Sequence, residues 1–553
     1  MKRLDLVAIL CAWAAAIALA HPTGNFPLDD DWDFAIATWQ FAKTGHFHFT
    51  AFTAASLRAQ VLWGALWTRV FGESFEVLRA STLTLAAGTI AIVHRSLARA
   101  GAGRFACAAG ALAVAFHPVF FWASCTYMTE VPFVFASAVA FYFFVRAVRE
   151  ERQLFFVCGY LAIIVSWFVR QTGVTHAMAV LALLLVFRDR LSPRWKRAAL
   201  GAAAVLAFFL LLLIFRRDWL AGAPVEFSAH FRMWRESSFR LPQQLEVAFH
   251  YGDFNIRNAA LFFLPLVAPI ALVFPRRGRI ALAIVAGTFL LLFARAQSLI
   301  GRGLPMPYFV NPYCCDIFAG NTLMDIGLGP LTLKGSEAFY PFRLAYGGRV
   351  LMTYISVLAG ALLLGFLIVA AVRAAREPKQ NGGLLLALAF VLFASLGLLG
   401  NSLYVDRYAL DSAWPIAVAL ALALPWDRAS VRWTFAAVLV LVALFDVAAM
   451  HDYFAWNHAR WNAINGLRSR GVPVQSIDGG AEAFAFYEMA YMDRKTQRHF
   501  MYGVPPRPYV IAFGPLPGYV VESELPFDGW LTGGRGRIVV LRCVLECGAL
   551  APL

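Results

Sequence analysis

Four aspartates, Asp29, Asp30, Asp31 and Asp33, stand in the stretch FPLDDDWDFA, a few positions past a hydrophobic N-terminal run. One carboxylate there would serve as a helix N-cap, worth about 0.5–2 kcal/mol. Several side by side repel one another. That cost makes sense if one of them takes a proton from a substrate hydroxyl or holds a cation. A further acid, Glu130, lies in CTYMTEVPFVF; its bland reading is an acid opening a helix. Arg170 lies in FVRQTG, between two apolar runs. Arginine inside a span costs roughly 2.5 kcal/mol or more. It either snorkels to the interface or is kept to grip an anion through two parallel hydrogen bonds. In NSLYVDRYALDSAWP, Asp406 and Arg407 either pair with each other or leave Arg407 for a phosphate. His21, His46 and His48 lack ligand spacing and read as interfacial residues.

The elements that must position these groups are apolar. The chain has 553 residues, 60% hydrophobic and 15% charged, against roughly 45–50% and 25% in soluble domains. The expected fold class is a polytopic α-helical membrane protein with about thirteen spans, at 4–20, 75–97, 105–123, 131–148, 154–170, 172–187, 196–215, 258–274, 279–293, 350–372, 383–402, 408–425 and 431–450. The net charge of +15 falls largely in short loops, among them Arg95–Arg104, Arg146–Arg152 and Arg188–Arg197, as the positive-inside rule requires. No basic soluble module stands out, so nucleic acid is not an expected partner. The basic loops are expected in the cytoplasm with the N-terminus. The longer mixed loops 21–74, 216–257 and 294–349 and the tail are expected on the opposite face. The ALA before His21 resembles a cleavage site, but the topology closes only if the first segment is retained as a span. The short spans around VRQTG read as two broken helices meeting at a polar site.

Residues 451–553 change character. NHARWNAINGLRSRG reads as an amphipathic helix ended by Gly471, and VPVQSID, RPYVIAF, YVVES and GRIVVLR read as strands. This is expected to be a small accessory α/β domain following a membrane module over 1–450. Cys11, Cys107 and Cys158 read as small apolar residues. Cys314 and Cys315, and Cys543 and Cys547, lie in outer segments, where a Cys543–Cys547 disulfide is feasible. No spacing reads as zinc, and no Rossmann fingerprint or phosphate loop is present.

These motifs together resemble the GT-C glycosyltransferases, integral membrane enzymes that use polyprenyl-phosphate sugars and include protein O-mannosyltransferases and the lipid A aminoarabinose transferase. The acidic pair after the first span, leading to AKTGHF, resembles their first-loop motif. RAQVLWGALWTRVFG is similar to a second loop helix, and YMTEVPFVF to the opening of the fourth span. VRQTG resembles the place where relatives carry a basic residue, and DRYALDSAWP is similar to a late RYxxP element. The resemblance covers residues 1–190 and, less fully, 400–420. It implies Asp30 as the catalytic base with Asp31 beside it, the run of three leaving the position open among Asp29–Asp31. It implies substrate binding by Asp29, Glu130, Arg170, Gln171 and Arg407. The donor would be a polyprenyl-phosphate-linked sugar; the acceptor a lipid, glycan or protein hydroxyl; the outcome inversion. A divalent cation, if used, would sit on Asp30, Asp31 and Glu130. The expected location is a bacterial inner membrane, with the site and tail domain periplasmic. The rival class is a transporter or flippase of lipid-linked sugars, which favours inverted repeats; none is evident, and the acids gather at one expected face.

Overall fold

The computed structural model describes residues 2–50, 52–53, 55–215, 241–274, 279–306, 309–310, 317–318, 323–324, 327–341, 344–398, 405–492, 506–531 and 533–544. Over the described residues the predicted spans coincide with helices or with bent pairs of helices; residues 399–402, the end of the span expected at 383–402, lie outside them. Among the described residues, seven helices are long and apolar enough to cross a membrane, or nine if each bent pair is one span.

Two predicted straight spans are broken, each at a proline. The first, 105–123, divides into Arg104–Ala115 and Pro118–Ser124, bent by 63°. Pro118 excludes the helical conformation at the residue before it, and His117 is extended, its ring accepting the Phe120 N–H at 3.4 Å. The second, 258–274, is the end of a longer helix, Leu241–Phe262, followed by Leu264–Val273 at 90°. Pro265 opens the latter in the first turn, where a missing N–H costs least.

Ion pairs fix the basic end of the bundle. Arg104 pairs with Asp5 of the first helix, and Arg99 with Glu150 at 3.5 Å. The helix Glu130–Glu150 ends there with Arg146 and Arg149 and begins, at its other end, with Glu130. The first helix likewise runs from Lys2 to Ala20 and delivers the aspartate run to the end opposite the basic loops.

The expected boundary at 450 falls within a helix. A single helix runs from Ala429 to Ser469 over 41 residues, roughly 60 Å at 1.5 Å per residue, about twice a hydrocarbon core. Its first half leaves Trp433, Val440, Leu441 and Leu444 exposed. Its second half buries Trp456, Asn457, Arg460 and Trp461 against the first loop and the tail. The tail forms one four-stranded sheet from β5 (Ile477–Asp478), β6 (Tyr509–Ala512), β7 (Tyr519–Gly529) and β8 (Gly534–Cys543); β1–β4, at 309–328, are two-residue strands in separate hairpins. The sheet order is β5-β6-β8-β7, with β5 and β6 parallel and the other pairs antiparallel. Alternation sends Ile511 and Val540 into the main core and Val510 and Val539 into a separate cluster on the other face.

The tail is keyed to the long helix by buried polar groups. Arg460 donates to the Gly479 carbonyl at 2.7 Å and pairs with Glu482 at 2.8 Å, both side chains almost wholly buried. Asp452 accepts from the backbone N–H groups of Trp530 and Leu531 at 2.6 and 3.1 Å. Cys543 is disulfide-bonded; Cys314, Cys315 and Cys547 lie outside the described residues. Of the cysteines read as apolar core, Cys107 is buried while Cys11 is exposed on its helix.

Candidate active site

The four aspartates part company at a backbone kink. Asp29 has φ of 55°, a left-handed conformation that Asp tolerates better than most side chains. Asp30 then occupies the cap position of the helix Asp31–Thr44 but makes no side-chain cap bond. Its carboxylate turns instead to Arg407, accepting from Nη2 at 2.6 Å, while Asp29 accepts from Nη1. The bland reading of Asp30 as an N-cap therefore fails on geometry. Asp31 points the other way. Its carboxylate accepts the N–H of Leu28 at 2.7 Å and of Tyr127 at 3.4 Å and is fully buried. Asp33 accepts from the hydroxyls of Thr50 and Thr53. Asp31, the acid expected beside the base, accepts from two backbone donors and so fastens the first loop to the turn before Glu130.

Glu130 begins its helix because Pro132 fits the first turn and an acid there suits the helix dipole. Its Oε1 accepts from Arg170 Nη1 at 2.9 Å and lies 3.8 Å from Arg407 Nε. Oε2 is buried without a hydrogen-bond partner among the described residues.

Arg170 stands in extended conformation between the helix Gln153–Trp167 and the turn Gln171–Gly173 that opens Val174–Phe187. Gly173 is required there, since a Cβ would lie 2.7 Å from the Trp167 backbone nitrogen. The start of the helix Arg58–Phe71 clamps this break. Leu57 N–H donates to the Val169 carbonyl at 3.1 Å and Ala59 N–H to Phe168 at 3.0 Å. Gln60 of the same helix donates to the Tyr127 carbonyl at 2.9 Å. One loop helix thus sets both the Glu130 turn and the Arg170 break. Gln171 is half-buried at the start of the turn.

Arg407 opens the helical segment leading into Leu410–Ala423. It does not pair with Asp406, which accepts the Leu323 N–H at 2.7 Å. The predicted residues Asp29, Asp30, Glu130, Arg170 and Arg407 therefore form one chain of ion pairs, and Asp31 stands outside it. Sequence reasoning passed over three neighbours. Tyr408 lies under both guanidiniums, its ring centroid 4.9 Å from Arg170 and 5.7 Å from Arg407. Asp411 accepts from Thr172 at 2.9 Å; its place one helical turn past Arg407 was the available signal. Glu482 accepts the Asp29 N–H at 3.3 Å, a contact no local pattern announces.

Electrostatics follow from burial. Asp29 is pushed well up by burial and by the carboxylates of Asp30, Glu482 and Glu130, with Arg407 opposing. Asp31 is pushed up to about 7, by burial first, with the Arg79 charge and the two backbone N–H groups pulling it down. The folded state thus holds a proton on Asp31 more tightly than the unfolded chain does, so stability from this group is full below about pH 4 and falls as pH rises to about 7. The apparent melting temperature should drop between pH 4.5 and 7.5, and Asp31→Asn should flatten that slope, leaving the part due to Asp29. An unchanged slope in the variant would show that Asp31 does not titrate in this range.

A divalent cation does not fit the expected trio. Arg407 lies between Asp30 and Glu130, and Asp31 is committed to backbone donors. Among the described residues no group of three His, Cys, Asp or Glu is arranged to hold a metal. His21, His46 and His48 are exposed.

No family model and no curated protein matches the chain. Among solved structures it is similar to the archaeal oligosaccharyltransferase AglB from Archaeoglobus fulgidus, solved with an inhibitory peptide and a dolichol-phosphate. The identity is 16% and the TM-score 0.44, over 85% of this chain and 58% of that one. It is also similar to ArnT from Cupriavidus metallidurans, bound to undecaprenyl phosphate (13% identity, TM-score 0.40) and in the apo state (13%, 0.39), each covering 98% of both chains.

Proposed function

We propose that this chain is a membrane glycosyltransferase that moves a sugar from a polyprenyl-phosphate donor to an acceptor hydroxyl on the extracytoplasmic face. The observation that carries the reading is the buried chain Asp30–Arg407–Glu130–Arg170, at the end of the helices opposite the basic loops. Of the acids on Arg407, Asp30 is the more open, its side chain 27% exposed against 10% for Asp29 and 1% for Glu130. It is the carboxylate an acceptor can reach.

Asp30 takes the acceptor's hydroxyl proton as the oxygen attacks the anomeric carbon. The bond from that carbon to the phosphate oxygen breaks, and its electron pair leaves with the polyprenyl phosphate. The growing charge is met by Arg170 and Arg407, whose planar forks suit a phosphate. Glu130 orients Arg170 and spaces the two guanidiniums. Attack from the face opposite the leaving group gives the inversion that the sequence resemblance implies. The setting consistent with this reading is a bacterial inner membrane with the site and tail domain in the periplasm.

The test is transfer from a synthetic polyprenyl-phosphate sugar by the purified chain in liposomes. Arg170→Ala removes a charge-assisted contact worth about 1.5–3 kcal/mol, so the donor concentration for half-saturation should rise roughly ten- to hundredfold. Unchanged saturation by donor would reject Arg170 as a phosphate ligand. Absence of transfer from every lipid-phosphate sugar by the wild-type chain would reject the reading.

A further inference from the structure

A second recess lies beside the charged chain and shares no residue with it. Its volume is about 470 Å³, between the segment Gly24–Pro27 and one face of the long helix. That face presents His458, Trp461, Asn462 and Asn465, whose spacing of three, four and seven puts them on one stripe. Aromatic rings make much of the wall. Phe26 stacks on Trp461 with centroids 5.9 Å apart and planes within 10°, and Trp39 meets Phe75 edge-on at 5.1 Å. A neighbouring hollow of about 430 Å³, between the same helix and β7, shares His458 and Asn462 with the first. The two are halves of one groove along the helix.

No lysine or arginine lines either half. Glu73 is already paired with Lys43 at 2.9 Å and Glu524 with Arg537 at 3.0 Å. An anion meets no cation here, and an acyl chain would bury carboxamides against hydrocarbon. Flat rings interleaved with Asn side chains, which both donate and accept, suit a ligand with apolar C–H faces and a rim of hydroxyls. That ligand class is the sugars. Each half falls in the size range of small-molecule sites, and their union is long rather than round.

We infer that this groove binds a neutral oligosaccharide of two or more residues. Its rings pack on the half-buried Trp39, Phe486 and Tyr487, with Trp461 as buried support behind them, and Asn462 and Asn465 pair with its hydroxyls. That the oligosaccharide is the acceptor's glycan rests on the transferase reading; that the groove takes a saccharide does not. Gly24–Pro27 leads directly into Asp29, so a glycan seated here would reach toward Asp30.

The experiment uses the full chain in lipid nanodiscs, free of sugar-based detergent, with maltotriose, cellotriose, mannotriose and chitotriose as probes and saturation-transfer NMR as the readout. At least one trisaccharide should bind, with strongest transfer to its ring C–H protons. Asn462→Ala with Asn465→Ala, both exposed positions, should weaken that binding at least tenfold. The same double variant should bind farnesyl phosphate as the wild type does, showing that the fold is kept. Failure of all four trisaccharides to bind, or equal binding by the double variant, overturns the inference. Farnesyl phosphate binding by the wild type is scored separately: its absence would count against the transferase reading and leave the saccharide result standing.

Discussion

Arg407→Ala is expected to lower transfer by roughly a hundredfold or more, the scale of losing one preorganised donor to a developing oxyanion, and to destabilise the fold at the same time. Arg407 is the only described cation that touches Asp29, Asp30 and Glu130 together, and its side chain is 8% exposed. Without it the buried Asp29 faces Asp30 with no guanidinium between them, and Glu130 keeps only Arg170. Stranding buried charge in this way costs about 3–5 kcal/mol. The helix Asp31–Thr44 is held at its start by these contacts, so its N-terminal turn should loosen first. Arg407→Lys separates the two roles. Lysine restores a charge but not the planar fork that reaches Asp29 and Asp30 through different nitrogens. It should recover most of the melting temperature and little of the activity. Transfer rate and apparent melting temperature, measured on both variants, decide the matter. Wild-type transfer by a destabilised Arg407→Ala would make the residue a scaffold and remove it from phosphate binding.

What the sequence made legible follows from the range of each interaction. Helices were readable because apolar runs are a local property; both missed breaks, at His117–Pro118 and Phe263–Pro265, had their prolines in plain view and were overridden by the length of the apolar run. The strands of the tail were readable from alternation, while the continuity of Ala429–Ser469 was not. The change from apolar to amphipathic at 450 marks where the helix leaves its apolar surroundings, and helical hydrogen bonding is indifferent to that change. At the site, the residue types were legible and the partners were not. The sequence put Asp406 next to Arg407, and adjacency suggested a pair. The fold joins Arg407 to residues almost 380 positions earlier, because the kink at Asp29 turns two carboxylates outward and leaves Asp31 inward. A single positive φ decides which aspartate meets the guanidinium, and no composition rule reports it. Glu482 was missed for the same reason: its contact to Asp29 exists only because the tail folds back onto the first loop.

Asp30→Asn is expected to cut the turnover number by about 10²–10⁴, the usual worth of a positioned base, with little change in donor saturation. The asparagine carbonyl can still accept from Arg407 Nη2, which now sits 2.6 Å from the carboxylate, so the ion-pair chain is weakened rather than dismantled. What is lost is the ability to take a proton. The two neighbours supply the contrast. Asp29→Asn keeps a residue tolerant of the left-handed backbone and should act mainly through the seating of Arg407, raising the donor concentration for half-saturation more than it lowers turnover. Asp31→Asn touches neither guanidinium and should leave turnover within a few-fold of wild type; its NH2 faces one of the two backbone N–H donors, so it lowers stability as well as flattening the pH slope. The three variants therefore differ in kind. Full turnover by Asp30→Asn together with collapse of Asp29→Asn would move the base one position back, onto the more buried carboxylate. The acceptor would then have to displace Arg407 before it could be deprotonated.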